Sequence, residues 1–284
     1  MTSGAGITTR GPFSGKRRSR YGQPVTEPEE VPLAGGFSNV VTRQGSTVRR
    51  HVGPWTPAVH ALLRHLRSVG FDLAPEPLGI DEHGREVLSF IDGQVAWWPW
   101  PAALRSDEGL RAVTRMLRDL QSALSTFEEP PDAIWHGGPR SAPEDVIRHG
   151  DLAPWNTLWQ EDRLTGVIDW DTAEPAPAGW DAAQGAWYFI PLRPLVGYRA
   201  EGTAMSLADV QHRFSVWCAE LDLDPEQLLD TVSEVQQFER DRIVTRGGAG
   251  QEPYATFLAR GDADDIDGDR AWLREHRGAL LQND

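Results

Sequence analysis

Arg148-His149-Gly150-Asp151-Leu152-Ala153-Pro154-Trp155-Asn156-Thr157-Leu158-Trp159, followed by Gly166-Val167-Ile168-Asp169-Trp170-Asp171, is the stretch whose reading decides the fold. It offers a carboxylate at Asp151, an amide at Asn156 and a second carboxylate, Asp169, at the end of an apolar strand. Phosphoryl transfer needs that set. One carboxylate takes the proton of an attacking hydroxyl, while an amide oxygen and a second carboxylate hold Mg²⁺ against nucleotide phosphates. Catalysis of this kind is mostly positioning and charge stabilisation, so a few oxygen donors in fixed order are enough.

Upstream of this stretch the pattern is β-rich. Val31–Leu33 leads into Gly35-Gly36-Phe37-Ser38-Asn39 and Val40–Thr42, then a turn at Gln44–Ser46 and the strand Thr47-Val48-Arg49-Arg50. A helix follows, with Thr56 as its expected N-cap, Pro57 in its first turn and Gly70 ending it. Val59, Leu62, Leu63, Leu66 and Val69 form its apolar stripe. A hairpin comes next, Pro77–Ile80 and Glu86–Ile91 around Asp81–Gly84, and this half ends near Asp92-Gly93.

Downstream the chain is largely helical. Ser106 caps a helix with Leu110, Val113, Leu117, Leu120, Leu124 and Phe127 on one stripe. Val146–Arg148 and Leu164–Asp169 read as short β segments. Helices are expected around 207–221, 228–238 and 270–281. The run Asp262, Asp264, Asp265, Asp267, Asp269 lacks the ligand pattern and terminal Glu of a calcium loop and reads as a solvated acidic loop.

His149-Gly150-Asp151 with Asn156 resembles the catalytic loop of the protein-kinase-like fold, in the form typical of aminoglycoside phosphotransferases, and Ile168-Asp169-Trp170 resembles their metal-binding strand end. The resemblance implies an α+β, two-lobe protein-kinase-like fold with a small antiparallel β N-lobe carrying one helix and a larger, mainly helical C-lobe. Residues 1–30, rich in Gly, Ser, Thr and Pro with little periodicity, read as a disordered basic tail, and the resemblance implies a nucleotide-binding lobe over 31–93 and a catalytic and substrate-binding lobe over 94–284. In the catalytic set Asp151 takes the base role and His149 braces the loop; Asn156 and Asp169 hold Mg²⁺. Asp171 is a weaker candidate near metal or substrate, and Asp181 braces the loop. Gly35, Gly36, Ser38 and Asn39 fall where the family covers the nucleotide phosphates, and Ser89 and Phe90 where its hinge meets adenine. The cofactors implied are ATP or GTP with Mg²⁺. Thr47–Arg50 and Gly53–Leu63 look like a narrower bacterial branch of trifolitoxin-immunity-like phosphotransferases.

The sequence departs from that pattern in two places. The family usually places a Lys on the third strand and a Glu on the following helix; here the strand offers Arg49 and Arg50, and the helix from Pro57 to Val69 has no acid. Alternation points Arg50 inward, in register with Val48. The ion pair that orients the cation is thus missing or supplied from elsewhere, and His60 and His65 read as solvent-facing or packed. No Ala-Pro-Glu motif follows Asp169, and Trp180 comes too soon for a phosphorylated activation loop, so a small acceptor hydroxyl is favoured over a protein.

Composition narrows the classes further. The 284 residues carry a net charge of −14, which argues against general nucleic-acid binding and suits a cationic acceptor. Lys16 is the only lysine, and residues 1–20 hold five basic groups and no acid. With Cys218 the only cysteine, no intrachain disulfide can form. No apolar run approaches the roughly 20 residues that span a bilayer, and Met1–Gly6 does not open a signal peptide; a soluble, cytoplasmic protein is expected. Trp97-Trp98-Pro99-Trp100 stands just past the hinge, where it can stack a ligand or pack between lobes. The competing reading is a degenerate kinase-fold immunity protein that sequesters a toxin or antibiotic without turnover.

Overall fold

A computed structural model describes residues 28–33, 41–97, 100–194 and 205–282. The expected tail and the glycine-rich loop with Gly35, Gly36, Ser38 and Asn39 lie outside the described residues, as do Trp98 and Pro99.

The first half is an antiparallel sheet with one helix. Strands β1 (Glu30–Pro32), β2 (Thr42–Gln44), β3 (Thr47–Arg50), β4 (Pro77–Ile80) and β5 (Glu86–Ser89) line up in the order β1-β2-β3-β5-β4. Register sets Arg50 directly across from Glu86, and Val48 across from Leu88. Helix α1 (Thr56–Ser68) buries Val59, Leu62, Leu63 and Leu66. Thr56 does not cap it. The helix already includes Thr56, whose hydroxyl accepts the Gly53 N–H at 2.9 Å. Val69, expected on the stripe, lies past the helix end and is exposed, and Gly70 takes φ +86° there.

After β5 the chain crosses into a second sheet, where β6 (Gln94–Val95) pairs with β8 (Thr157–Gln160), itself in a hairpin with β9 (Arg163–Val167). Gly93 makes the crossing possible: φ is +151°, and a Cβ there would lie 2.7 Å from the Thr165 hydroxyl. A third, two-stranded sheet joins β7 (Val146–Arg148) to β10 (Glu174–Ala176).

The remaining described residues are mostly helical: α2 (Ala102–Arg105), α3 (Asp107–Leu124), α4 (Trp180–Phe189), α5 (Leu207–Leu221), α6 (Pro225–Gly248), α7 (Tyr254–Arg260) and α8 (Asp262–Leu280). Ser106 caps α3 by accepting the Gly109 N–H at 3.1 Å, and Leu110, Val113, Leu117 and Leu120 are fully buried. Ser206 and Asp209 form a capping box on α5.

The acidic run is not a loop. It forms the first half of α8, with Asp262, Asp264 and Asp265 in the first turn, where the helix dipole favours carboxylates. Asp269, one turn deeper, is buried and accepts the Trp187 indole N–H at 2.8 Å. Among the described residues no helix is long and apolar enough to cross a membrane.

Candidate active site

The Asp151 loop follows β7 and is held by bonds from three sides. His149 is fully buried; its Nε2–H donates to the Ile168 carbonyl at 3.0 Å and its Nδ1 accepts the Asp151 N–H at 3.2 Å. Burial pushes its pKa down to about 4, so the ring stays neutral and can serve both bonds. Asp181, in the first turn of α4, accepts the N–H groups of His149 (2.7 Å) and Gly150 (3.3 Å). Gln184, one turn on, accepts from Leu152 N–H and donates to the Gly150 carbonyl. Gly150 sits at φ +83°, where an added Cβ would come 2.1 Å from the Thr172 carbonyl oxygen, so no other residue fits between His149 and Asp151.

Behind the loop lies a buried ionic network. Arg148 donates to Glu174, its cross-strand partner, and to Glu239 of α6 at 2.9 Å, while Arg242 also grips Glu174. Removing one member of such a buried set leaves an uncompensated charge and costs about 3–5 kcal/mol.

The Asp151 carboxylate bonds within its own loop. Its Oδ2 accepts from the Asn156 amide at 2.8 Å and the Trp155 indole at 3.3 Å. Burial, then repulsion from Asp169, raises its pKa to about 7 against those two bonds. A carboxyl poised there is matched to base work near neutral pH.

Asn156 uses its NH₂ on the Asp151 carboxylate and carbonyl, so its oxygen is turned away from them. Asp169 lies two residues beyond β9 in the left-handed region (φ 64°, ψ 62°), with its side chain 55% exposed. Among the described residues no group of three or more His, Cys, Asp or Glu side chains gathers to hold a metal. One amide oxygen plus one carboxylate is a sparse set, and sparse oxygen sets completed by water and substrate phosphates are what Mg²⁺ takes.

Across from this loop stands Arg50. It is 8% exposed, and its Nε donates to Glu86. Its two terminal nitrogens reach Asp169 at 3.3 Å and Asp171 at 2.8 Å. Burial opposes the guanidinium charge, but Asp171, Glu86 and Asp169 more than restore it. Asp171 is pushed up to about 6 by burial, against the pull of Arg50.

The ion pair missing from the helix is therefore supplied by the strand. Glu86 is fully buried and accepts from His60 Nε2 at 2.8 Å. Burial would raise its pKa, yet the His60 bond and the Arg50 charge hold it below the ordinary carboxylate value. His60 is thus packed inward with a partner. His65 bonds the Ala123 carbonyl at 2.9 Å, away from Arg50. Sequence reasoning missed Glu86 and the His60 contact. The available signals were an acid opening an apolar strand and a histidine beside Val59 and Leu63 on the buried side of α1.

Other expected residues are not gathered here. Arg49 points to the opposite face of β3, toward Thr47 and Asp81 (3.9 Å). The N–H of Ser89 goes to the Glu76 carbonyl (2.9 Å) and that of Phe90 to the Ser46 carbonyl (2.8 Å), so neither is open to a base. The Phe90 ring lies 3.6 Å under the Arg43 guanidinium. The tryptophan cluster divides: Trp100 is 3% exposed in the core, whereas Trp97 is 53% exposed and meets Trp155 edge-on at 6.2 Å. Trp155 in turn meets Tyr188 at 4.6 Å.

Residues 128–213, which hold the whole Asp151–Asp171 stretch, match a family model described as "Phosphotransferase enzyme family". Among solved structures, the ADP-bound aminoglycoside phosphotransferase APH(2'')-Ib superposes with a TM-score of 0.55 at 10% identity, over 88% of this chain and 95% of that one. The GDP complex of aminoglycoside 2'-phosphotransferase-IIIa gives 0.52 at 14% identity, over 90% of this chain and 95% of that one. The fold is that of the aminoglycoside phosphotransferases. The two-lobe, kinase-like architecture expected from the sequence is the one observed. The trifolitoxin immunity protein of Rhizobium leguminosarum bv. trifolii is 39% identical over 165 residues, 56% of this chain and 61% of that protein. This chain thus matches less than two thirds of that relative's length. The resemblance to the phosphotransferase family and to its immunity-like branch holds.

Proposed function

We propose that this protein is a nucleotide- and Mg²⁺-dependent phosphotransferase that moves a γ-phosphoryl group to a hydroxyl of a small molecule. The observation that carries this reading is the Asp151 carboxyl, bonded by Asn156 and Trp155 and raised to about 7 by burial and by Asp169, whose own carboxylate meets Arg50. Asp151 accepts the proton of the acceptor hydroxyl as its oxygen bonds to phosphorus and the bond to the leaving nucleoside diphosphate breaks. Asn156 and Asp169 would hold the metal, which neutralises charge on the transferred phosphoryl group. Arg50 turns its terminal nitrogens from the two cleft carboxylates to phosphate oxygens, a bidentate pairing suited to guanidinium. The nucleotides named with the structural relatives, GDP and ADP, support nucleotide use. With Ser89 and Phe90 N–H groups engaged, backbone donors for a base would come from Ile91 onward.

On the acceptor side, a hydroxyl within reach of Asp151 would lie near Trp155, whose indole bonds that carboxylate and whose ring meets the exposed Trp97. These faces suit an acceptor with an apolar or cationic surface beside its hydroxyl. The relative's name, an immunity protein, favours a second reading: a toxin or antibiotic bound and sequestered without turnover.

Calorimetric titration of ATP and GTP with Mg²⁺, on wild type and Asp169→Ala, tests the proposal. Metal-dependent binding by wild type that is lost in the variant is expected. Wild type that binds neither nucleotide points to the sequestering reading, and a variant that binds as wild type refutes the metal role of Asp169.

A further inference from the structure

Two residues outside the catalytic stretch, Glu86 on β5 and His60 on α1, converge on Arg50 and leave one edge of its guanidinium facing the cleft. Register places Arg50 and Glu86 directly opposite each other, so the Nε edge of the guanidinium meets the Glu86 Oε2 oxygen. The other oxygen, Oε1, takes the His60 Nε2–H at 2.8 Å. Each oxygen of this fully buried carboxylate has one donor, and the two bonds fix its plane. With the Nε edge held, only Nη1 and Nη2 can reach outward, and both do, toward Asp169 and Asp171.

We propose that Glu86 and His60 are positioning residues for nucleotide phosphate recognition: they aim the two terminal nitrogens of Arg50 at the phosphates and do together what an acid on the helix does for a lysine. The inference rests on the phosphotransferase reading. Its physical basis is that a guanidinium has two hydrogen-bonding edges, and an unheld one divides its time between them. Glu86 alone sets the edge. His60 sets Glu86, and because His60 belongs to α1, the aim of Arg50 follows the seat of that helix. A lysine in place of Arg50 would offer its three donors from one freely rotating nitrogen, whereas the guanidinium holds its bound edge and its outward edge in one rigid plane.

The test uses the full chain with His60→Ala, His60→Gln and Glu86→Gln, titrated with Mg²⁺ and the triphosphate that wild type binds, and separately with the matching nucleoside. His60→Ala is expected to weaken triphosphate binding about tenfold, the size of a lost hydrogen bond to a charged group, with nucleoside affinity unchanged. His60→Gln keeps an N–H donor of similar reach and should stay within about threefold of wild type. Glu86→Gln should lose at least as much as His60→Ala, since its amide cannot accept from both partners. Melting curves check folding. If His60→Ala does not fold, His60→Asn serves instead, whose shorter amide breaks the bond while filling more of the space. Equal loss for triphosphate and nucleoside means a merely structural role and overturns the proposal, as does a His60→Ala protein that binds the triphosphate like wild type. Wild type that binds no triphosphate overturns the phosphotransferase reading and this role with it. Wild-type binding that His60→Ala shares overturns the positioning role alone.

Discussion

The two walls of the cleft are built on different scales. The Asp151 wall starts from one stretch of chain: Asp151 and Asn156 bond each other across five residues, His149 is tied to Ile168 just past the following hairpin, and Asp181 and Gln184 of α4 pin the backbone from outside it. The Arg50 wall is assembled from separate elements, with His60 from α1, Glu86 from β5 and the carboxylates of Asp169 and Asp171 from the other lobe. A local loop carries its geometry in a motif. An assembled cation site carries it in strand register and helix seating, so its parts can be exchanged while the charge stays in place.

The difference can be broken hardest at Asp151. Asp151→Ala is expected to reduce turnover by about a thousandfold, the scale of lost general-base catalysis, with nucleotide affinity close to wild type. Retained turnover would remove Asp151 from the chemistry. For wild type, kcat/KM should fall about tenfold per pH unit on the acid side, because the base works only when deprotonated. The limb lies at or below about 7: burial, the larger cause of the raised pKa, persists in the loaded enzyme, whereas a metal at Asp169 screens the repulsion that adds to it.

Arg50 gives the next effect. Arg50→Ala should weaken triphosphate binding about ten- to hundredfold, and Arg49→Ala, on the opposite face of β3, by no more than about twofold. The reverse order would mean that β3 is out of register by one residue. The smallest effect belongs to the acceptor side: Trp97→Ala should raise the acceptor KM about threefold with kcat unchanged. A fall in kcat at constant KM would place Trp97 in positioning the reacting hydroxyl instead.

The same contrast of scale explains what was legible. The α3 stripe and its Ser106 cap were readable because side chains three and four apart meet on one face of a helix. The acidic run was misread as a loop because its charges masked the helical spacing of Ala263, Ile266, Asp269 and Leu273, and a buried aspartate does not read as apolar. Asp269 is buried because Trp187 and Arg193 meet it, neither of them near in sequence. Ser89 and Phe90 read as hinge residues offering backbone groups to adenine, and only the strand pairing shows that their N–H groups are engaged by the Glu76 and Ser46 carbonyls.

By itself, the sequence determined the kinase-like phosphotransferase fold and the order of the Asp151, Asn156 and Asp169 groups, because those residues lie within one loop and the hairpin that follows it. It also determined that any cation on β3 is an arginine, since Lys16 is the only lysine. Only the tertiary structure decided what holds that arginine. Glu86 lies 36 residues from Arg50 in the chain, and the pair exists because β3 and β5 align antiparallel in one register, a long-range pairing that no local stretch specifies.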